Sequence, residues 1–219
     1  SLYLAARSGQ MVAIEWLLSE LIAHIGPLEA RRVAGLRILH ALEQASVGLG
    51  VALSDEERRE LALEAIRLLE AGLSEAFLPG GGHVSSLGQA HELIGRTEAA
   101  LWLYESYALQ APWDTTARNN WAYSLAQAER DLPLALVLIR QAARDRGEPV
   151  ASFIDTEAWV LHKMGRHGEA KEAMERAIFH ATDSRYQSPE GRVEMLYHYG
   201  VILTKSGERA RAKQVWGTC

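Results

Sequence analysis

The sequence predicts an all-α fold, a superhelical solenoid of antiparallel helix hairpins, from two observations. First, apolar residues recur with helical spacing, as in Leu134, Leu136 and Ile139, and strand-like alternation does not persist anywhere in the 219 residues. Second, small residues recur in the second half of the chain at steps of 35, 35 and 42 residues. These small residues are Ala100, Ala135, Ala170 and Ala212.

Composition narrows the class of protein. Hydrophobic residues make up 48% and charged residues 23%, as in an ordinary globular chain. The formal net charge of −5 lacks the basic excess that nucleic-acid binders and polybasic membrane-surface proteins carry. No apolar run approaches the ~20 residues that span a bilayer. We therefore expect a soluble, cytoplasmic or periplasmic protein, with no nucleic acid and no membrane insertion.

A fixed pattern surrounds each of the recurring small residues. The expected first helix of each copy has its own small residue near the middle, and these are Gly88, Ala122, Ala158 and Gly200. Four residues after the second small residue comes a large apolar one, and these are Tyr104, Ile139, Met174 and Trp216. Glycine inside a helix is about 1 kcal/mol worse than alanine, so we expect a second helix to approach closely at these positions.

Glycines also separate the two helices of most copies. Gly95, Gly165 and Gly207 each precede the second helix, where a left-handed backbone would end the first one. The second copy has Glu129-Arg-Asp131 instead, with one extra residue in the turn.

The pattern resembles the tetratricopeptide repeat, a helix–turn–helix unit of about 34 residues with W-x2-LG-x2-Y, A-x3-F and a final proline. The resemblance covers residues 81–219, and four copies in series make it specific. It implies repeats over 81–114, 115–150, 151–190 and 193–219, with the last one truncated. Hairpins of this kind bury their apolar stripes only by stacking on neighbours.

Residues 1–80 match the pattern poorly, and we expect divergent helical hairpins there, continuous with the solenoid. Pro27 predicts the start of a long helix over 27–48. Ser54 with Glu57 forms a capping box that predicts another over 54–78.

Two departures from the repeat carry their own hypotheses. Arg118 and Glu157 replace apolar residues in adjacent first helices, so either they pair across the repeat interface or a register shift exposes both. The step of 42 places an eight-residue excess in the polar segment 182–191. That segment is interpreted as a solvated linker or, alternatively, as a loop on a binding face.

Catalytic and metal-binding signals are weak. None of the eight histidines forms H-E-x-x-H, the single cysteine Cys219 excludes a cysteine-rich zinc site, and no phosphate-binding loop is present. The sequence therefore predicts no enzyme activity, no cofactor and no metal. A helical enzyme, the least favoured hypothesis, would have to start from His162 with Asp155, Lys163 and His198.

The resemblance implies a concave groove lined by first helices. Its groove-facing positions, carried over one by one, are Ser85, Gln89, Asn119, Asn120, Tyr123, Gln127, Asp155, Trp159, His162, Lys163, Tyr197, His198 and Lys205. Aromatic residues among amides and cations are typical of binding hot spots. The lysine–asparagine clamp of chaperone-binding family members is not present, since no lysine precedes Lys163.

These observations predict a scaffold or adaptor that binds a peptide or a partner protein in the groove. The alternative is a regulatory helical-repeat domain that senses a ligand or peptide. The short last helix also leads us to expect that Trp216 packs on a surface outside this sequence, either a following repeat or another copy of the chain.

Overall fold

The computed structural model of the chain describes residues 11–46, 52–73, 81–183 and 189–217. Every regular element in these ranges is an α-helix, which confirms the predicted all-α fold class. The helices are α1 Met11–Ile25, α2 Pro27–Ser46, α3 Asp55–Leu73, α4 Gly81–Leu93, α5 Thr97–Gln110, α6 Thr115–Gln127, α7 Leu132–Arg146, α8 Ala151–Lys163, α9 His167–Asp183, α10 Pro189–Lys205 and α11 Arg209–Trp216.

The chain forms two compact units, Ser1–Tyr107 and Ala108–Cys219. In the first unit α2 and α3 pack together over a core of aliphatic residues. Proline opens α2, as predicted. The capping box also forms, because the Glu57 backbone N–H donates to Ser54 Oγ at 3.2 Å and the Ser54 backbone N–H donates to Glu57 Oε2 at 2.7 Å.

The α4–α5 pair shows how a small residue positions two helices. A Cβ built on Gly88 of α4 would lie 2.3 Å from Cζ of Tyr104 on α5, so only glycine leaves room for that ring. The Tyr104 hydroxyl also donates to the Ser85 carbonyl at 3.4 Å. The mid-helix glycine therefore marks a close approach of two helices, as its cost in helix propensity suggested.

The second unit contains the hairpins α6–α7, α8–α9 and α10–α11, and the first helices α6, α8 and α10 pack on one another in that order. Its buried core includes Trp121, Leu125, Ile139, Phe153, Val160, Met174, Ile202 and Leu203. The small residues Ala122, Ala135, Ala158, Ala170 and Ala212 are all at most 1% exposed. The stacking that the sequence pattern predicted is thus made through its smallest side chains.

The turns inside the hairpins use the left-handed backbone that was predicted. Gly165 and Gly207 have φ values of 77° and 86°. Glu129, which stands at the equivalent place between α6 and α7, has φ 52°. All three residues donate a backbone N–H to the carbonyl three residues earlier. Glu129 therefore adopts a conformation that costs a residue with a Cβ about 1–2 kcal/mol in general.

The expected pairing of Arg118 with Glu157 is wrong. Arg118 Nη1 lies 2.7 Å from Asp145 Oδ2, on the second helix of its own hairpin. Glu157 lies 2.8 Å from Arg140 Nε and 3.7 Å from Arg176 Nη2. Both side chains therefore point toward second helices, and neither is turned across the interface between first helices.

Trp216 packs within its own hairpin, against Gly200 of α10, and 42% of its surface remains exposed. A further surface that covers the exposed part stays a prediction. Residues 184–188 of the predicted loop 182–191 lie outside the described residues, and its two ends belong to α9 and α10. Among the residues described, none of the helices combines the length and the apolar character needed to cross a membrane.

Candidate functional site

The candidate site is the surface that α6, α8 and α10 form together, here called the first-helix face. Its candidate residues fall in matching rows, because the three helices end at equivalent points of their repeats. Asn119, Asp155 and Tyr197 form one row, and Gln127, Lys163 and Lys205, the last residues of their helices, form another. Asp114 fixes the start of α6 by accepting the backbone N–H groups of Thr116 and Ala117 at 2.9 and 3.1 Å.

A chain of side-chain hydrogen bonds crosses this face. The Trp159 indole Nε1 donates to Gln127 Oε1 at 3.0 Å, and Gln127 Nε2 donates to the Tyr123 hydroxyl oxygen at 2.8 Å. The Tyr123 hydroxyl then donates to Glu194 Oε1 at 2.5 Å. These hydrogen bonds join α8 to α6 and α6 to α10, so they connect the first helices of three successive hairpins.

A cluster of rings around His198 lies beside this chain. The imidazole Nδ1 lies 3.0 and 3.2 Å from the two carboxylate oxygens of Asp155, which fixes the ring's orientation. Trp159 stacks on the imidazole with ring centroids 4.1 Å apart, and Tyr123 and Tyr197 each lie 6.0 Å away. His198 is 2% exposed and Trp159 6%, so these two residues are the floor of the face.

His162 extends the floor toward the turn after α8. Its imidazole stacks on Trp159 at 5.1 Å, and His167 lies 5.0 Å from it. Burial, together with the positive charges of His167 and Lys163 as smaller causes, lowers the pKa of His162 to about 4. His162 is therefore neutral at pH 7, and its buried Nδ1 has no hydrogen-bond partner among the described residues.

Lysines mark the edge of the face at the helix C-termini. Lys163 Nζ lies 2.8 Å from Glu129 Oε1 and 5.2 Å from the centroid of the Trp159 ring. The hydrogen bond from Lys163 holds the pKa of Glu129 below its usual value. Lys205 is exposed at the end of α10. This edge therefore offers one lysine already paired and one directed to solvent.

The predicted groove residues of the second unit divide into a buried floor, an exposed part and a half-buried group, which consists of Asn119, Asn120, Tyr123 and Lys163. Asp155, Trp159, His162 and His198 are buried. Gln127, Tyr197 and Lys205 are exposed, with Tyr197 at 55%. Asn119 Nδ2 donates to Asn120 Oδ1 at 3.2 Å. Ser85 and Gln89 lie on α4 of the first unit. The binding role of all of these residues stays a prediction.

Sequence reasoning missed two carboxylates that bond to the candidate residues, Glu194 to Tyr123 and Glu129 to Lys163. Glu194 lies 71 residues from its partner Tyr123 and three residues before Tyr197, the nearest position singled out on α10. The available signal was its row, since Glu194 is a carboxylate where the preceding repeats have Thr116 and Ser152. For Glu129 the repeat pattern predicts only a place in the turn between α6 and α7.

One pair of floor residues bears on catalysis. The bonded pair of Asp155 and His198 resembles an acid–base dyad, but Trp159 covers the imidazole. Within the same residues, no group of three or more His, Cys, Asp or Glu side chains is placed to hold a metal ion.

Comparisons with known proteins agree with the repeat pattern. The tetratricopeptide-repeat family model matches residues 156–178, which include most of α8 and the first two-thirds of α9. A tetratricopeptide-repeat protein from Parabacteroides merdae has a similar structure, with a TM-score of 0.64 at 15% identity over 97% of this chain and 73% of that one. The sequence has no significant match among curated proteins.

Two further solved structures share the fold. A thermophilic tetratricopeptide-repeat protein from Thermus thermophilus gives a TM-score of 0.59 at 15% identity, over 84% of this chain and 89% of that one. MamA from Desulfovibrio magneticus, from residue 41 to its end, gives 0.52 at 14% identity over 84% and 92%. The chain is a helical-hairpin repeat protein, and the family match together with the shared fold supports its assignment to the tetratricopeptide-repeat family. This fold is in general that of a protein-interaction scaffold.

Proposed function

We propose that the chain is an interaction scaffold whose first-helix face binds a segment of another polypeptide. The observation that carries the proposal is the hydrogen-bond chain from Trp159 through Gln127 and Tyr123 to Glu194. It holds three helices in one arrangement before any partner arrives. A surface that is ordered in advance loses less conformational entropy on binding, and this raises affinity.

The exposed part of the face supplies suitable contact groups. Tyr197 is 55% exposed above a buried floor, and a rigid aromatic side chain gives a large contact area at a low entropic cost. Gln127 and Lys205 add hydrogen-bond donors at the edge. The combination of an aromatic anchor and a polar edge fits an extended or helical peptide better than it fits a closed small-molecule site.

A display library of random peptides tests the proposal. The wild-type chain is used for selection, and the selected peptides are measured against Tyr197→Ala and Gln127→Ala. Phe179→Ala is the matched control, because Phe179 is an aromatic residue 71% exposed on the second helix α9. We expect the two variants of the face to lose at least about tenfold in affinity and the control to bind as wild type. Equal binding by all variants would contradict the proposal.

A further inference from the structure

Glu194 is an exposed carboxylate that the protein holds in place without neutralising it. Its Oε1 accepts the Tyr123 hydroxyl at 2.5 Å, and that hydroxyl is itself positioned by Gln127. Among the described residues, no lysine or arginine lies within ion-pairing distance of Glu194, whereas Glu129, Glu157, Glu175 and Glu208 all have such a partner. The carboxylate therefore has a fixed orientation, and no lysine or arginine of the described residues is paired with it.

Two tyrosine rings flank this carboxylate. Tyr197 lies three residues after Glu194 on α10, which places the two side chains next to each other on one helix face. Tyr123 approaches from α6, and both rings lie 6.0 Å from the buried His198 ring that supports them. Tyr123, Glu194 and Tyr197 are here called the tyrosine–glutamate patch.

We infer that the tyrosine–glutamate patch binds the guanidinium group of an arginine in the partner segment, an inference that rests on the proposed function. A guanidinium is planar and always charged, so it can stack on the exposed Tyr197 ring while its N–H groups donate to the Glu194 carboxylate. The Tyr123 hydroxyl keeps the carboxylate from turning away. The partner of this face therefore carries a basic side chain where it crosses α10.

The charges elsewhere on the face favour a basic residue at this patch over an acidic one. The cation beside Trp159, Lys163, is already paired with Glu129 at 2.8 Å. Lys205 lies eight residues after Tyr197 on the same helix, a distance of about 12 Å along the axis. An acidic group of a partner would therefore be attracted to Lys205, more than two helical turns from the patch.

A titration followed by the backbone amide NMR signals of the full chain tests the inference. The probes are an acetylated and amidated pentapeptide with one central arginine between alanines, and its citrulline and glutamate analogues. Citrulline keeps the shape of arginine but removes the charge. We expect the arginine peptide to shift the signals of Glu194 and Tyr197 and to bind about fivefold more tightly than the citrulline peptide.

Two variants make the test specific. Glu194→Gln should abolish the preference for arginine over citrulline, whereas Glu172→Gln, an exposed glutamate on α9 with the same change in charge, should keep it. The inference is overturned if none of the probes shifts the patch, if arginine and citrulline bind equally to the wild type, or if only the glutamate peptide binds. Library peptides that need Gln127 but contain no arginine would overturn this inference and leave the proposed function standing.

Discussion

The indole of Trp216 lies directly against the backbone of Gly200. A Cβ built on Gly200 would lie 2.0 Å from Trp216 Nε1 and 2.3 Å from Cε2, closer than side-chain atoms approach each other. Gly88 and Tyr104 have the same relationship at the same separation of 16 residues, in the other unit. In both hairpins the absence of one methyl group lets an aromatic ring of the second helix rest on the first helix.

Replacing Gly200 with alanine should therefore destabilise the chain, although alanine is the better helix former. Overpacking costs about 1–3 kcal/mol, and the gain of about 1 kcal/mol in helix propensity offsets only part of it. The free energy of unfolding, measured by urea titration, should fall. A second change, Trp216→Leu, removes the clash and should recover part of the loss in the double variant.

Gly168 supplies the control for this prediction. It lies in α9, and a methyl group added to it would have nothing within 4 Å, so Gly168→Ala should be neutral or stabilising. If Gly200→Ala were as stable as Gly168→Ala, the ring would not be resting on the glycine in solution.

The left-handed backbone of Glu129 predicts that glycine is more stable than alanine at this position. Glu129→Gly relieves the positive φ of 52°, and Glu129→Ala keeps it, while both remove the ion pair with Lys163. The Glu129→Gly variant should therefore have a melting temperature about 3 °C higher than that of Glu129→Ala, as measured by thermal circular dichroism. The reverse change at the equivalent turn, Gly165→Ala, should lower the melting temperature. Equal melting of the two Glu129 variants would mean that the turn relaxes without strain.

The depressed pKa of His162 predicts a dependence of stability on pH. The unfolded chain takes up a proton at this residue near pH 6.5, but the folded chain does so only near pH 4, because burial disfavours the charged imidazole. Between these values the unfolded state binds more protons, so stability must fall as the pH decreases from 6.5 to 4. At pH 7 and above His162 is neutral in both states and adds no pH dependence to the stability.

His162→Phe keeps a ring beside Trp159 and removes the proton uptake. The slope of unfolding free energy against pH should then decrease by about one proton between pH 6 and pH 4.5, measured by urea unfolding at several pH values. An unaltered slope in His162→Phe would show that this imidazole titrates normally when the chain is folded.

The ion pair of Arg118 with Asp145 predicts an asymmetry between its two partners. The Arg118 side chain is 11% exposed, and its Nε and Nη2 atoms are buried without partners among the described residues. Asp145→Asn would leave that cation without its counter-charge and should cost about 2 kcal/mol of unfolding free energy. Arg118→Met, which removes the charge and keeps apolar volume, should cost less.

Glu148→Gln is the corresponding control, because Glu148 and Arg146 form an exposed pair at 3.8 Å. A pair of this kind contributes about 0–1 kcal/mol, so the control should hardly change the free energy of unfolding. If Asp145→Asn were equally silent, solvent would already screen the guanidinium.

The hairpins were predictable because their signals are local. A capping box and a glycine at a turn constrain only neighbouring backbone, and a mid-helix glycine concerns only the two helices of one hairpin. Ser54 with Glu57, Gly165 and Gly88 all have the predicted structure. Contacts between helices depend instead on how each helix is rotated about its axis. For that reason the hypothesis that Arg118 pairs with Glu157 is wrong, and Arg118 pairs with Asp145 instead.

The candidate site illustrates the same limit. The rows of first-helix positions led to Tyr123, Trp159 and Tyr197, which do cluster around His198. The repeat pattern could not show which of them would be buried, because stacking on His198 and His162 turns Trp159 into the floor of the face. The row position of Glu194 could have marked it as a candidate, but not its bond to Tyr123, which lies two hairpins away.

The most direct test of the proposed binding face is to map where a selected peptide contacts the chain. Backbone amide shifts of the wild-type protein, recorded with and without a peptide from the display selection, report the site without any mutation. The account predicts that the shifts fall on α6, α8 and α10, with Tyr197 and Gln127 among the largest. Shifts concentrated on α7, α9 and α11, with the first helices unchanged, would contradict it.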